Sequence, residues 1–124
     1  MAKKKLYKCK ICKKVVEMVY PMSPPTVCCN EPMSELVPKT QDGVEKHVPY
    51  IERKDDGVLV KVGRDEKHPM NKDHYIVYIE ILADGVLMRQ YLDPDGEPEA
   101  FFKTDAKDIV AWEFCNIHDL WTSG

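Results

Sequence analysis

The chain has 124 residues, with 18 basic and 21 acidic side chains and a net charge of −3. Hydrophobic residues make up 44% and charged residues 31%, the composition of a globular fold: one medium domain, or a small metal-stapled one beside a larger one. No uncharged apolar run approaches the ~18 residues of a membrane span. No apolar signal core follows the basic start Lys3-Lys4-Lys5, and the mild acidity argues against nucleic acid as the partner.

Residues 1–36 are cysteine-dense and poor in apolar side chains, a segment too small to fold on buried surface alone without a staple. Residues 37–43, Val-Pro-Lys-Thr-Gln-Asp-Gly, read as a linker punctuated by Pro and Gly. From residue 44 to 124 strands follow one another. Asp55-Asp56-Gly57 is a hairpin signal leading into Val58-Leu59-Val60-Lys61-Val62. Residues 74–82 are almost continuous β-formers, and Ala83-Asp84-Gly85 turns them into residues 86–92. Asp93-Pro94-Asp95-Gly96 is a further turn, and residues 100–102 and 109–114 complete the set. No helical periodicity is sustained, so the expectation is an all-β chain: a small stapled module followed by an antiparallel β-sandwich.

The five cysteines are Cys9, Cys12, Cys28, Cys29 and Cys115. An odd number without a signal segment suits a reducing compartment, and the expected location is the cytoplasm. Cys9-Lys10-Ile11-Cys12 is a Cys-x-x-Cys knuckle, and the adjacent pair Cys28-Cys29 supplies two more sulfurs. Four thiolates enclose one tetrahedral metal, and the spacing alone leaves a zinc staple and an iron centre about even. Neighbouring residues of an extended chain point in opposite directions, so Cys28 and Cys29 reach one ion only if the backbone bends between them. Lys13 follows the knuckle where glycine often sits, and a left-handed backbone there is mildly strained.

The four histidines, His47, His68, His74 and His118, all lie in the second part of the chain with Cys115. Each alone is an ordinary surface or core residue; together, at strand ends and loops, they read as a ligand set. Cys115-x-x-His118 brings a thiolate and an imidazole within reach of one ion. Four imidazoles and one thiolate exceed a tetrahedral zinc site and suit a five-coordinate iron with one open position.

The motifs Glu45-Lys46-His47-Val48-Pro49 and Cys115-Asn116-Ile117-His118, with the four early cysteines, resemble those of desulfoferrodoxins, the two-iron superoxide reductases. The resemblance runs from Tyr7 to Trp121. It implies a desulforedoxin-like Fe(Cys)4 module and an immunoglobulin-like sandwich with a square-pyramidal Fe(His)4(Cys) centre. His47, His68, His74 and His118 would then be equatorial and Cys115 axial. It further implies one-electron reduction of superoxide to hydrogen peroxide, a rubredoxin-like electron donor and a homodimer. Glu45 would bind the ferric iron, and Lys46 would attract the anion and order water for protonation.

Elementary electrostatics agrees with the role of Lys46, because an anion approaching a chain of net charge −3 needs local positive charge. Lys67 beside His68 and Lys72 near His74 are weaker candidates for the same task. Glu45 equally fits an ordinary surface carboxylate. The alternative function is pure electron transfer through the four-cysteine site, with the sandwich as a docking platform.

Overall fold

The structure is a computed structural model, and it describes residues 5–22, 25–41 and 47–124. Among these every regular element is a strand, and no helix is long and apolar enough to cross a membrane. The chain forms two compact units, one ending at Val37 and one beginning at Pro38.

The first unit is built on a hairpin of β1 (Lys5–Lys8) and β2 (Val15–Met18). The two-residue pair β3 (Val27–Cys28) and β4 (Glu31–Pro32) follows, and β5 (Ser34–Glu35) adds to the other edge of β1. Leu6 and Cys9 are the buried side chains among the described residues of this unit. Two buried residues do not make a core, so cross-linking through the cysteines must supply what hydrophobic burial does not.

The second unit is an antiparallel sandwich of seven strands, the strand number of a constant-type immunoglobulin domain. One sheet has the order β10-β7-β6, from β6 (Pro49–Lys54), β7 (Gly57–Val62) and β10 (Glu99–Lys103). The other has the order β12-β11-β8-β9, from β8 (Ile76–Ala83), β9 (Val86–Tyr91), β11 (Ile109–Cys115) and β12 (Asp119–Thr122). Between them lie Val58, Val60 and Val62 of β7, Ile76, Ile79 and Ile81 of β8, and Ala111 and Cys115 of β11, all fully buried. Each such aliphatic side chain contributes about 1.5–3 kcal/mol of transfer free energy. Cys115 is therefore part of the core wall.

Three features differ from the sequence reading. His74 lies just outside β8, which begins at Ile76. The short β12 had no signal of its own and forms by closing a hairpin on β11. Lys39, inside the segment read as a linker, pairs with Trp121: its N–H donates to Leu120 O (3.0 Å) and its carbonyl accepts from Thr122 N (2.9 Å).

One glycine sets the course of the chain from β7 to His68. Gly63 has φ +85, and a Cβ there would fall against the carbonyl oxygen of Glu66 and 2.8 Å from His68 N. The same loop is closed by His68 N–H donating to Val62 O at 3.2 Å. Gly63→Ala is expected to cost about 1–3 kcal/mol, from the left-handed backbone and the crowding together. Denaturant unfolding of the metal-free chain should show a lower midpoint with an unchanged slope.

Candidate metal centres

The first centre is assembled by two bends. In the knuckle, Cys9 N–H donates to Lys14 O (2.9 Å), Lys13 N–H donates to Cys9 O (3.1 Å), and Cys12 N–H points at the Cys9 sulfur (3.5 Å). Lys13 has φ 69, the left-handed backbone its position implied, and its ammonium donates to Lys10 O at 2.8 Å. At the other bend Cys29 has φ 52 and Asn30 φ 63, which turns the vicinal pair so that both sulfurs face one point. All four sulfurs lie within 4.8 Å of one another, with Cys12 Sγ 3.7 Å from Cys28 Sγ and Cys28 Sγ 3.9 Å from Cys29 Sγ. A tetrahedron with metal–sulfur bonds of about 2.3 Å has edges of about 3.8 Å, so the set fits one ion. Cys9 is buried, whereas Cys12 and Cys29 are exposed.

The second centre is a closed ring of imidazoles. Centroids are 4.6 Å apart for His47–His68, 4.7 Å for His68–His74, 5.1 Å for His74–His118 and 4.7 Å for His118–His47. The Cys115 sulfur lies 3.7 Å from His68 Nε2 and 3.9 Å from His118 Nδ1. Ligand atoms of His47, His68, Cys115 and His118 all fall within 4.8 Å of one another, and His74 closes the ring at slightly longer range. These separations leave room for an ion with bonds of about 2.0–2.3 Å to each donor.

Each donor is placed by a specific device. His47 precedes β6, His68 follows the Gly63 turn, and Cys115 ends β11. His118 closes the three-residue loop between paired Cys115 and Asp119, and Asp119 has the left-handed φ (67) that such a hairpin requires. His74 is placed by an irregularity in the β11–β8 ladder. Phe114 pairs with Tyr78 but Cys115 pairs with Ile76, so one residue of β8 is skipped. Ile79 and Ile81 face the core, and strict alternation would continue to Val77 and Tyr75. The skip instead turns Ile76 inward, and two residues further on His74.

Around the ring lie groups that the sequence reading did not identify. His68 Nδ1 contacts Pro69 O at 2.8 Å, which requires the proton on Nδ1 and turns the lone pair of Nε2 toward Cys115. Glu113, fully buried, lies 3.5 Å from His47 Nδ1, within ion-pairing distance of that ring. Trp121 stacks on His47 at 4.6 Å and 16° and donates from Nε1 to His118 O at 2.9 Å. Lys39 donates to the same oxygen at 3.2 Å, with its ammonium 5.0 Å from the Trp121 ring. Glu113 had a usable signal: a lone acid in a strand of apolar residues, two positions before Cys115 and so on its face. Lys67 is bound to Glu97 at 2.7 Å, which raises its pKa and offsets its charge, so it is a poor attractor of anions. Glu45 and Lys46 lie outside the described residues.

The family model described as Desulfoferrodoxin matches residues 39–124, and that described as Desulfoferrodoxin, N-terminal domain, matches residues 2–36. The chain belongs to the desulfoferrodoxin family. A desulfoferrodoxin homolog of Archaeoglobus fulgidus is 46% identical over 120 residues, covering 96% of this chain and 95% of that one. The desulfoferrodoxin of Syntrophotalea carbinolica is 43% identical, covering 99% and 98%. Among solved structures, the superoxide reductase from Treponema pallidum superposes with a TM-score of 0.77 at 29% identity, covering 98% of each chain. The donor sets fit a desulfoferrodoxin's cofactors, two iron ions: one for the four sulfurs and one for the four imidazoles and a sulfur.

Without metal, the thiols of Cys9, Cys28 and Cys29 are shifted in different directions. The Cys12 backbone N–H holds the Cys9 thiol down to about 6, while hydrogen bonding with Cys9 and then Cys28, in which Cys29 keeps its proton, pushes Cys29 up to about 12. Cys28 is also raised, chiefly by Cys12. Metal requires thiolates, so loading must expel the protons of Cys28 and Cys29. Titrating Zn(II) into metal-free chain at pH 8 in weak buffer should therefore release protons, read by an indicator dye. First-site affinity should fall as pH falls, more steeply below about pH 6, where Cys9 is protonated too. An affinity flat from pH 6 to 9 would contradict this proton inventory.

Proposed function

We propose that this desulfoferrodoxin is a superoxide reductase whose working site is the ring of His47, His68, His74 and His118 with Cys115. The observation that carries the reading is the ring itself: four imidazoles in a closed cycle with a fully buried sulfur against two of them. Superoxide reductase is also the name of the Treponema pallidum protein whose structure spans the same length. Iron held by these residues would supply the one electron that, with two protons, converts superoxide to hydrogen peroxide.

The chain's own residues do the rest. The four imidazoles and the Cys115 sulfur would hold the iron and leave it accessible to the substrate. Cys115 would contribute a thiolate, whose electron donation to the iron favours reduction of the substrate. The Pro69 carbonyl and the Glu113 carboxylate keep His68 and His47 oriented and basic. Lys46, next to His47, draws the anion in and orders the water that delivers protons. Glu45 would bind the iron once it is ferric. The exposed Cys12 and Cys29 of the first centre suit electron exchange with a small rubredoxin-like donor.

Product stoichiometry tests the reaction. Reduction yields one peroxide per superoxide and no oxygen, whereas dismutation yields one peroxide and one oxygen from two superoxides. Oxygen evolution would overturn the reading. Cys115→Ser should abolish turnover, measured with reduced donor in excess, while Cys9→Ser should remove the first centre's spectrum and leave superoxide reduction largely intact. Lys46→Ile should slow the second-order reaction by about ten-fold, because a unit charge beside a partly dry anion site is worth roughly 1–3 kcal/mol. Its rate should also depend less on ionic strength than the parent's.

A further inference from the structure

The motif Cys115-Asn116-Ile117-His118 contains a residue that the proposed reaction leaves without a task. Asn116 is half-buried, and its side chain makes two hydrogen bonds, both to the segment carrying His74. Its Oδ1 accepts from Tyr75 N–H at 2.9 Å, and its Nδ2 donates to Asp73 O at 3.0 Å. The two partners fix which end of the amide is which, because a backbone N–H demands the oxygen and a carbonyl demands the NH2. Its backbone N–H adds a third link, to Tyr75 O at 3.2 Å. One residue thus grips the chain immediately before and immediately after His74.

His74 has no strand to hold it. Its own backbone groups are used within a tight turn: His74 N–H donates to Asn71 O (3.2 Å) and to Asn71 Oδ1 (3.0 Å), and Asn71 N–H donates to His74 O (3.0 Å). Asp73 N–H also donates to Asn71 Oδ1 at 3.0 Å. These bonds shape the turn but do not tie it to the loop that carries Cys115 and His118. Asn116 does that, and it lies between those two donors in sequence.

Resting on the reading of this ring as an iron site, we infer that Asn116 is a positioning residue. Its amide clamps the Asp73–Tyr75 backbone to the Cys115–His118 loop, and so sets His74 against the other three imidazoles. Asp cannot replace it fully: a carboxylate keeps the acceptor for Tyr75 N–H but loses the donor to Asp73 O.

The test is a double-mutant cycle on the full chain, read as Fe(II) affinity of the second site by chelator competition. The first site serves as internal control. Asn116→Ala is expected to weaken second-site affinity about 10–100-fold, the usual loss when a partner that orients a ligand is removed. Asn116→Asp should lose less. In a His74→Ala background Asn116→Ala should cost less than about two-fold, because the ligand it positions is gone. A general structural role predicts the same loss in both backgrounds, and that result overturns the clamp, as does an undiminished affinity of Asn116→Ala in the parent. If Asn116→Ala does not fold, the Asn116→Asp cycle decides by the same comparison. A parent chain whose second site takes no Fe(II) overturns the iron-site reading, and the clamp with it.

Discussion

The antiparallel pairing of β11 with β8, with its single skipped residue beside Cys115, is the interaction on which the second unit depends. Up to Phe114 the ladder is regular, and the inward rows Ile79–Ile81 and Ala111–Glu113 face the same side. A slip of one residue exchanges the faces of everything beyond it. Here the slip comes where β8 meets the loop of His74, so the core phase changes into a ligand phase within four residues. Cys115 stands at that point as both a core residue and a proposed donor.

A ring of imidazoles in a dry wall needs polar company, because each ring carries a second nitrogen that must be satisfied. The fold supplies it at His68 from the backbone of Pro69, sets the Glu113 carboxylate of β11 within ion-pairing distance of His47, and closes over the site with Lys39 and β12. Trp121 of β12 covers His47, and Lys39 covers Trp121. The donation from both to His118 O joins the cover to a proposed ligand. Residue 39 therefore belongs to the architecture of the centre, although its surroundings in sequence look like a connector.

The first unit solves the opposite problem. With Leu6 and Cys9 as its buried side chains it has almost no interior, and its sulfurs stand partly in solvent. Left-handed residues at Lys13, Cys29 and Asn30 each cost conformational energy, of the order of 1 kcal/mol. Bonds to an ion offset that cost, which is how a segment of this size holds a single shape.

Residue type and order by themselves determined the all-β character, the cysteine module ahead of the sandwich, and the nine candidate metal donors. They did so because thiol and imidazole are scarce in this chain and their chemistry is specific, and because Gly-marked turns between β-branched runs allow little else. The resemblance added the family and the reaction expected of it. What only the tertiary structure decided is which way the donors face. Residues 74–82 read as one continuous run, and nothing in that run shows the skipped residue that turns His74 inward; it follows from the pairing of Ile76 with Cys115, 39 positions away in sequence. Glu113, Lys39, Trp121 and Asn116 acquire their roles in the same way, because a contact between segments distant in sequence depends on register and approach, and neither is written in local composition.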